Sequence, residues 1–235
     1  MTFSMKRALA IFQKDYKDLS RNLFVSSTLI MPLFFAVFYS RIGDVGVDIT
    51  YFVINITFSL VAIFVQCALI AEEKEKNTLR GLMLSPASTL DILLGKSALT
   101  FVTTMILIVA SSFLMDYAPQ NLAVIALALI VSTFFYIGIG TMFGLMSKTV
   151  MEASLIVMLP FFFFSFSPML LPLQDRFAII GVLEYLPNVL LIDVAHQVED
   201  GANFGAVGLE LGLLTAWALA AFVGSVVMYN RKQTD

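Results

Sequence analysis

The chain has 235 residues, of which 59% are apolar and only 13% charged, with a mean hydropathy of +0.91 and a formal net charge of −3. Soluble domains carry roughly 25% charged residues, and a water-soluble fold of this length has no core large enough to hide so much apolar surface. A soluble enzyme, a nucleic-acid binder and a disordered linker are excluded, and the composition is that of an integral membrane protein. The lone cysteine, Cys67, lies in an apolar run, so neither a disulfide framework nor a thiol metal cluster is expected.

Residues 1–22 predict an amphipathic helix: Met5, Ala8, Leu9, Phe12, Tyr16 and Leu19 recur at three and four residues, with Lys6, Lys14, Lys17 and Arg21 mostly off that stripe. Such a helix can lie along the inner membrane face beside anionic lipids, or dock on another protein. No cleavable leader is expected, because the start is polar and basic and the apolar run behind it has full spanning length. Six stretches then supply the roughly 20 apolar residues that a hydrocarbon layer about 30 Å thick requires. They are Leu23–Ser40, Tyr51–Ala71, Ile92–Met115, Leu122–Met146, Ser154–Pro172 and Gly205–Tyr229. None alternates at period two, which argues against a β-barrel.

Basic residues set the orientation. Of the 14 Lys and Arg, only Arg41 and Arg176 fall on one side, where Asp44, Asp48, Asp116, Asp175, Glu184, Asp193, Glu199 and Asp200 gather. Both termini are therefore expected in the cytoplasm, which requires an even number of spans. The expected fold class is an all-α integral membrane protein with six transmembrane helices, an N-terminal interface helix and a dipping helix pair before the last span, in one domain over 1–235.

The segment 72–91 after span two is the most informative. Glu72 and Lys76 are spaced for a helical ion pair, so span two is expected to run on into the cytoplasm. An apolar-basic element from Thr78 to Leu84 follows, then Ser85-Pro86, and Ser88 with Asp91 reads as a capping box opening span three. Leu79, Leu82, Met83 and Leu84 on a cytoplasmic bend call for a partner surface. Gly95-Lys96-Ser97 matches the end of a phosphate-binding loop, but Leu90 occupies the position of the first glycine and a membrane helix starts there, so no ATP site is expected. Lys96 is expected to snorkel to the headgroups.

The external segment 173–204 contains two apolar runs, Phe177–Leu183 and Val189–Ala195, each too short to cross. Two short helices dipping into the membrane are favoured over a plain external loop. The span centres hold no Asp, Glu, Lys, Arg or His; the polar candidates there are Asn55, Thr57, Ser59 and Gln66 with scattered Ser and Thr. That removes the usual ion relay of a coupled transporter and leaves only a Na⁺ site of carbonyls and hydroxyls. It also removes the residues of an embedded hydrolase or metal enzyme. Gly208, Gly212, Ala216, Ala220 and Gly224 form a small-residue ridge on span six, with Gly140 and Gly144 on span four; these are expected to pack within the chain.

Six spans, the amphipathic N-terminal helix and a Glu-Glu-Lys-Glu-x-x-Thr-Leu-x-x-Leu-x-x-Ser-Pro loop before Leu94-Gly95-Lys96 resemble the membrane subunits of type-2 ABC exporters over essentially the whole chain. The resemblance implies that Thr78 to Ala87 is a coupling helix seated in a separate ATPase, with Thr78, Leu79, Arg80, Leu82, Met83 and Ser85 in contact and Glu72, Glu73 and Glu75 on the supporting helix. The bend from Ser147 to Ala153 would be the second contact, through Ser147, Lys148 and Glu152. Spans two and five would line a central path, with Asn55, Ser59 and Gln66 facing Phe162, Phe163 and Phe166. One departure is Pro187-Asn188, where members often carry Asn-Pro.

The same resemblance implies no catalytic residue, metal or cofactor on this chain, with ATP and Mg on the partner ATPase. It implies a second copy or paralogue of the permease, contact with membrane lipid, no nucleic acid, and residence in the cell membrane. The expected cargo is a drug, an antimicrobial peptide or another amphipathic molecule. The alternatives are ATP-driven Na⁺ extrusion by the same architecture, or a non-transporting scaffold that docks a cytoplasmic regulator.

Overall fold

A computed structural model describes residues 4–43, 45–78, 81 and 89–234, all helical or connecting, with no strand among them. Six helices are long and apolar enough to cross a membrane: Leu23–Ser40, Val47–Glu75, Asp91–Leu114, Leu122–Met146, Val150–Leu173 and Gly208–Arg231. The second is longer than its apolar stretch suggests. Its last turn, Glu72 to Glu75, stays helical because Glu73, Lys74 and Glu75 each find a partner on a neighbouring element.

Span two is the axis of the bundle. Its most apolar stretch is 94% buried, against 17% for span one and 22% for span six. Missing side chains bring span four against it: a Cβ on Gly140 would fall 2.6 Å from the Ile63 carbonyl oxygen, and one on Gly144 would fall 2.8 Å from the Ile70 Cβ. Such bare backbone lets helices approach closely where lipid supplies no hydrophobic drive. Span six packs on span four through a different face from the expected ridge. A Cβ on Gly138 would lie 2.8 Å from that of Ala221, and Leu214, Ala218 and Ser225 are buried beside it. Gly208 and Gly212 meet nothing within 4 Å, and Ala216 and Ala220 are exposed. The ridge spacing was real, but its face points outward; only Gly224 touches span four, through Met142.

The N-terminal helix, Met5–Arg21, docks on the chain's own spans. Ala8, Ile11 and Leu19 are buried, whereas Met5, Leu9 and Tyr16 stay exposed. Gly95 makes this possible, since a Cβ there would sit 2.7 Å from the Ala8 carbonyl oxygen. Ile11 also shares an apolar cluster with Ile92, Leu93 and Tyr229, so the N-terminal helix and the end of span six lie at one end of the bundle. That is the basic end; the other is the acidic end.

Before the last span, Ala178–Tyr185 and Pro187–Glu199 form a helix pair bent by 74°. The Trp217 indole N–H donates to the Tyr185 carbonyl at 2.8 Å. Trp217 lies about 13 Å along the axis from Gly208, so the bend reaches well into the bundle. Asn188 fixes it there, its amide nitrogen donating to the Phe164 carbonyl at 2.8 Å and the Ser167 hydroxyl at 2.7 Å. Pro187 opens the outgoing helix at a position that needs no N–H.

Candidate functional site

At the basic end three buried charges, Asp15, Glu73 and Lys96, interlock with a fourth, the exposed Lys14. The Lys96 ammonium lies 3.1 Å from Asp15 of the N-terminal helix and 2.9 Å from Glu73 of span two. Lys14 reaches the same Glu73 oxygen at 2.7 Å, and Asp18 at 3.2 Å. Lys96 therefore does not snorkel; its side chain is 1% exposed. The close approach at Gly95 carries the N-terminal helix over the end of span three, and Asp15 and Glu73 supply the counter-charge that headgroups would otherwise give. Burial pushes the Asp15 carboxyl above the ordinary aspartate range, against the pull of Lys96 and Lys14. Burial also works to lower Lys14, but its hydrogen bond to Glu73 and the surrounding carboxylates hold that ammonium above its usual value.

Asp91, expected in a capping box with Ser88, also serves the N-terminal helix. It accepts the Ser4 backbone N–H at 2.7 Å and the Arg7 Nε at 2.8 Å, so it holds the start of the N-terminal helix; Ser88 lies outside the described residues. The Gly95-Lys96-Ser97 tripeptide sits inside a continuous helix, Thr89–Leu114. Its glycine serves helix contact and its lysine an ion pair.

The expected coupling residues are drawn together around the end of span two. Lys76 and Glu72 pair at 2.6 Å. Glu75 accepts the Val150 N–H at 2.9 Å, tying span two to the first turn of span five. Lys74 donates to the Leu145 carbonyl at 2.7 Å, and the buried Ser147 hydroxyl donates to Phe143 and lies 4.0 Å from the Cys67 sulfur. The bend itself is closed by a cap: Thr149 Oγ1 accepts the Glu152 N–H at 3.1 Å, and Glu152 reaches back past the cap residue to accept the Lys148 N–H at 2.6 Å. Thr78 is exposed at the end of this platform. Leu79, Arg80, Leu82, Met83 and Ser85 lie outside the described residues. A groove of about 360 Å³ runs between these parts, lined by Asn22, Phe24, Glu72, Glu75, Lys76, Val150 and Met151.

The six residues expected along a path separate into two groups. Phe162, Phe163 and Phe166 are exposed on span five. Phe166 continues a row of rings through Phe52 at 5.7 Å to Tyr39 of span one at 6.1 Å. Asn55, Ser59 and Gln66 are instead fully buried in the bundle. Gln66 is bonded at both ends, its nitrogen donating to Thr141 at 3.0 Å and Ser97 at 3.4 Å, its oxygen accepting from Thr100 at 2.7 Å. The structure thus joins Phe166, with Phe162 stacked on it, to spans one and two, leaves Phe163 against Phe164 of its own helix, and keeps the three polar residues apart from them.

Sequence reasoning missed Lys14, Asp15 and Asn188. A signal existed for Asp15, an acidic residue at helical spacing from Ile11 and Leu19 on the buried face. Asn188, which follows the helix-opening Pro187 at the head of an apolar run, offered another.

The profile of the family described as ABC-2 family transporter protein matches residues 43–227. The chain belongs to the ABC-2 transporter family. It is the membrane component of such a transporter, in a family whose permeases are non-catalytic and whose ATPase is a separate subunit. The matched stretch runs from the loop before span two to the basic end of span six, and so contains Glu73, Lys96, the bend at Ser147 and the dipping pair. The partner lysine and aspartate on the N-terminal helix lie ahead of it. No curated protein matches the chain.

Proposed function

We propose that this ABC-2 permease is half of the membrane pathway of an ATP-driven exporter in the cell membrane, with its basic end and both termini in the cytoplasm. The single observation that carries the reading is the wiring of that end: Glu73 is shared by Lys14 and Lys96, and Glu75 two residues on holds the start of span five. A push on Thr78 to Ala87 would reach the N-terminal helix and spans two, three and five together, through buried ion pairs and helices rather than through loops. Twelve of the fourteen Lys and Arg at one end support the orientation.

In this reading Leu79, Arg80, Leu82, Met83 and Ser85 enter the ATPase cleft, and Lys148 offers the second contact beside Ser147 and Glu152. ATP and Mg belong to the ATPase. Closure of two ATPase subunits would rock the spans between inward-open and outward-open arrangements. A second permease copy or paralogue would cover spans one and five, whose exposed rings, among them Phe34, Phe38, Phe162 and Phe163, suit a drug, an antimicrobial peptide or another amphipathic cargo by apolar and stacking contact.

The test is co-purification with the cognate ATPase and measurement of ATP turnover and cargo movement for Leu82→Asp and Met83→Asp. Loss of association or of coupling, with normal membrane insertion, is expected. Unchanged coupling would remove the assignment.

A further inference from the structure

The middle of span two is not α-helical. Phe58–Ile63 is wound as a π-turn, whose i→i+5 bonding fits one extra residue into the rod. The sequence Phe-Ser-Leu-Val-Ala-Ile contains no Pro or Gly to disturb an α-helix, so packing sets this winding. Span four is shaped for it, since Gly140 leaves room for the carbonyl of Ile63, the last residue of the turn.

The two halves of span two are held unequally. On the basic side Gln66 is bonded through both amide atoms, Lys74 grips the Leu145 carbonyl, and Glu73 is locked between two lysines. On the acidic side the equivalent anchors are unused. Asn55 is as buried as Gln66, yet neither its nitrogen nor its oxygen meets a partner among the described residues, and the Ser59 hydroxyl meets none either. Among the described residues, the polar side-chain ties from this half to other elements are a 3.4 Å contact between the Tyr51 and Tyr117 hydroxyls and the exposed Asp48–His196 pair at its end; the rest of its hold is apolar packing, through Tyr51, Val53 and Ile54. The half begins at Gly46, where a Cβ would meet nothing within 4 Å.

We infer that the π-turn is a register switch: returning its extra residue to α-winding slides residues 47–57 by one position while the basic half stays fixed. The slide is about 1.5 Å along the axis with about 100° of rotation. Each residue then takes the place of the one before it. Phe52 moves to the buried place of Tyr51, and Val53 takes the place of Phe52, the ring that joins Tyr39 of span one to Phe166 of span five. Withdrawal of that ring opens the aromatic row on the flank assigned to the pathway. Thr50, now fully buried, emerges where Ile49 is exposed. The inference deepens the proposed function, because it names the element that would change the pathway wall when the basic end is displaced.

The experiment follows Thr50→Cys in a Cys67→Ser background, using a small charged methanethiosulfonate as probe, with Ala68→Cys in the same background reporting on the buried basic half. In the undeleted chain assembled with its ATPase, trapping ATP should raise the Thr50→Cys rate at least tenfold with Ala68→Cys silent. Deletion of Leu60 removes the extra residue and leaves residues 47–57 in their present places with no turn to rewind, so the rise should vanish there. No rise in the undeleted complex, or a rise that survives a deletion in which Ala68→Cys stays silent, overturns the switch; should the deletion expose Ala68→Cys, the undeleted complex alone decides. A rise in a complex whose ATP turnover is independent of the permease leaves the switch standing and fails the ATP-driven reading.

Discussion

Spans two and six are both strongly apolar, yet one is almost wholly enclosed and the other is mostly open. The difference teaches that apolar composition does not choose which helix faces lipid, because acyl chains are as apolar as leucine. Polar and bare positions choose instead. Span two holds Gln66, Glu73 and the surfaces that fit Gly140 and Gly144. Span six turns Thr215 back on its own Leu211 carbonyl, reaches span four with one hydroxyl, Ser225 to Gly138, and leaves Gly208 and Gly212 bare toward the outside.

The comparison is broken most severely at Lys96. Lys96→Met leaves Asp15 and Glu73 without their shared cation and is expected to cost about 3–5 kcal/mol, read as loss of the folded fraction in detergent. Adding Asp15→Asn and Glu73→Gln should recover part of it. Next, Gly140→Ala forces a methyl against the Ile63 carbonyl and should cost about 1–3 kcal/mol, seen as a lower melting temperature. Gln66→Leu should fall in a similar range, about 1–3 kcal/mol, since it strands the Thr100 hydroxyl in a buried place. Gly212→Ala on span six is the opposite case: with open space around it, better helix propensity should raise stability by up to about 1 kcal/mol. A destabilising Gly212→Ala would show that this ridge is packed.

The smallest effect concerns pH. Burial raises the Asp15 pKa in the folded chain above its unfolded value. The folded state therefore binds this proton more readily, and the contribution to stability is present at low pH and lost as pH rises through the raised value. Between neutral pH and about pH 4, near the ordinary aspartate value, the melting temperature of the unmodified chain should rise by a few degrees relative to Asp15→Asn. A difference that stays flat across that range would show that Asp15 is not perturbed.

Much of the architecture was legible in the sequence because hydropathy and length alone define a span. The dipping pair was legible too, since two short apolar runs around Pro187 could not cross and could not stay in water. The extension of span two followed from Glu72 and Lys76. What failed to show was pairing across distance. Nothing local to Lys96 announces that Asp15, 81 residues earlier, will cover it, and the glycine beside it that permits the contact looked like part of a nucleotide motif. Spacing identified the span-six ridge but not its direction, because a helix facing lipid and one facing protein share the same periodicity. Asn55 and Gln66 looked alike as polar residues in an apolar run; only the packing of spans three and four separates the bonded amide from the unbonded one.

The contact between Asp91 and the start of the N-terminal helix has a consequence for biogenesis. Ser4 and Asp91 are 87 positions apart, so the Met5–Arg21 helix must wait, undocked, until two further spans have been threaded through the insertion machinery. Lys96 arrives at the bilayer with its counter-ions already made, one in that waiting helix and one in the span just inserted. A helix synthesised ahead of its partners thus acts as a clamp fastened late, and substitutions at Asp15 should register as slow maturation or turnover in the cell before they register in any assay of the finished transporter.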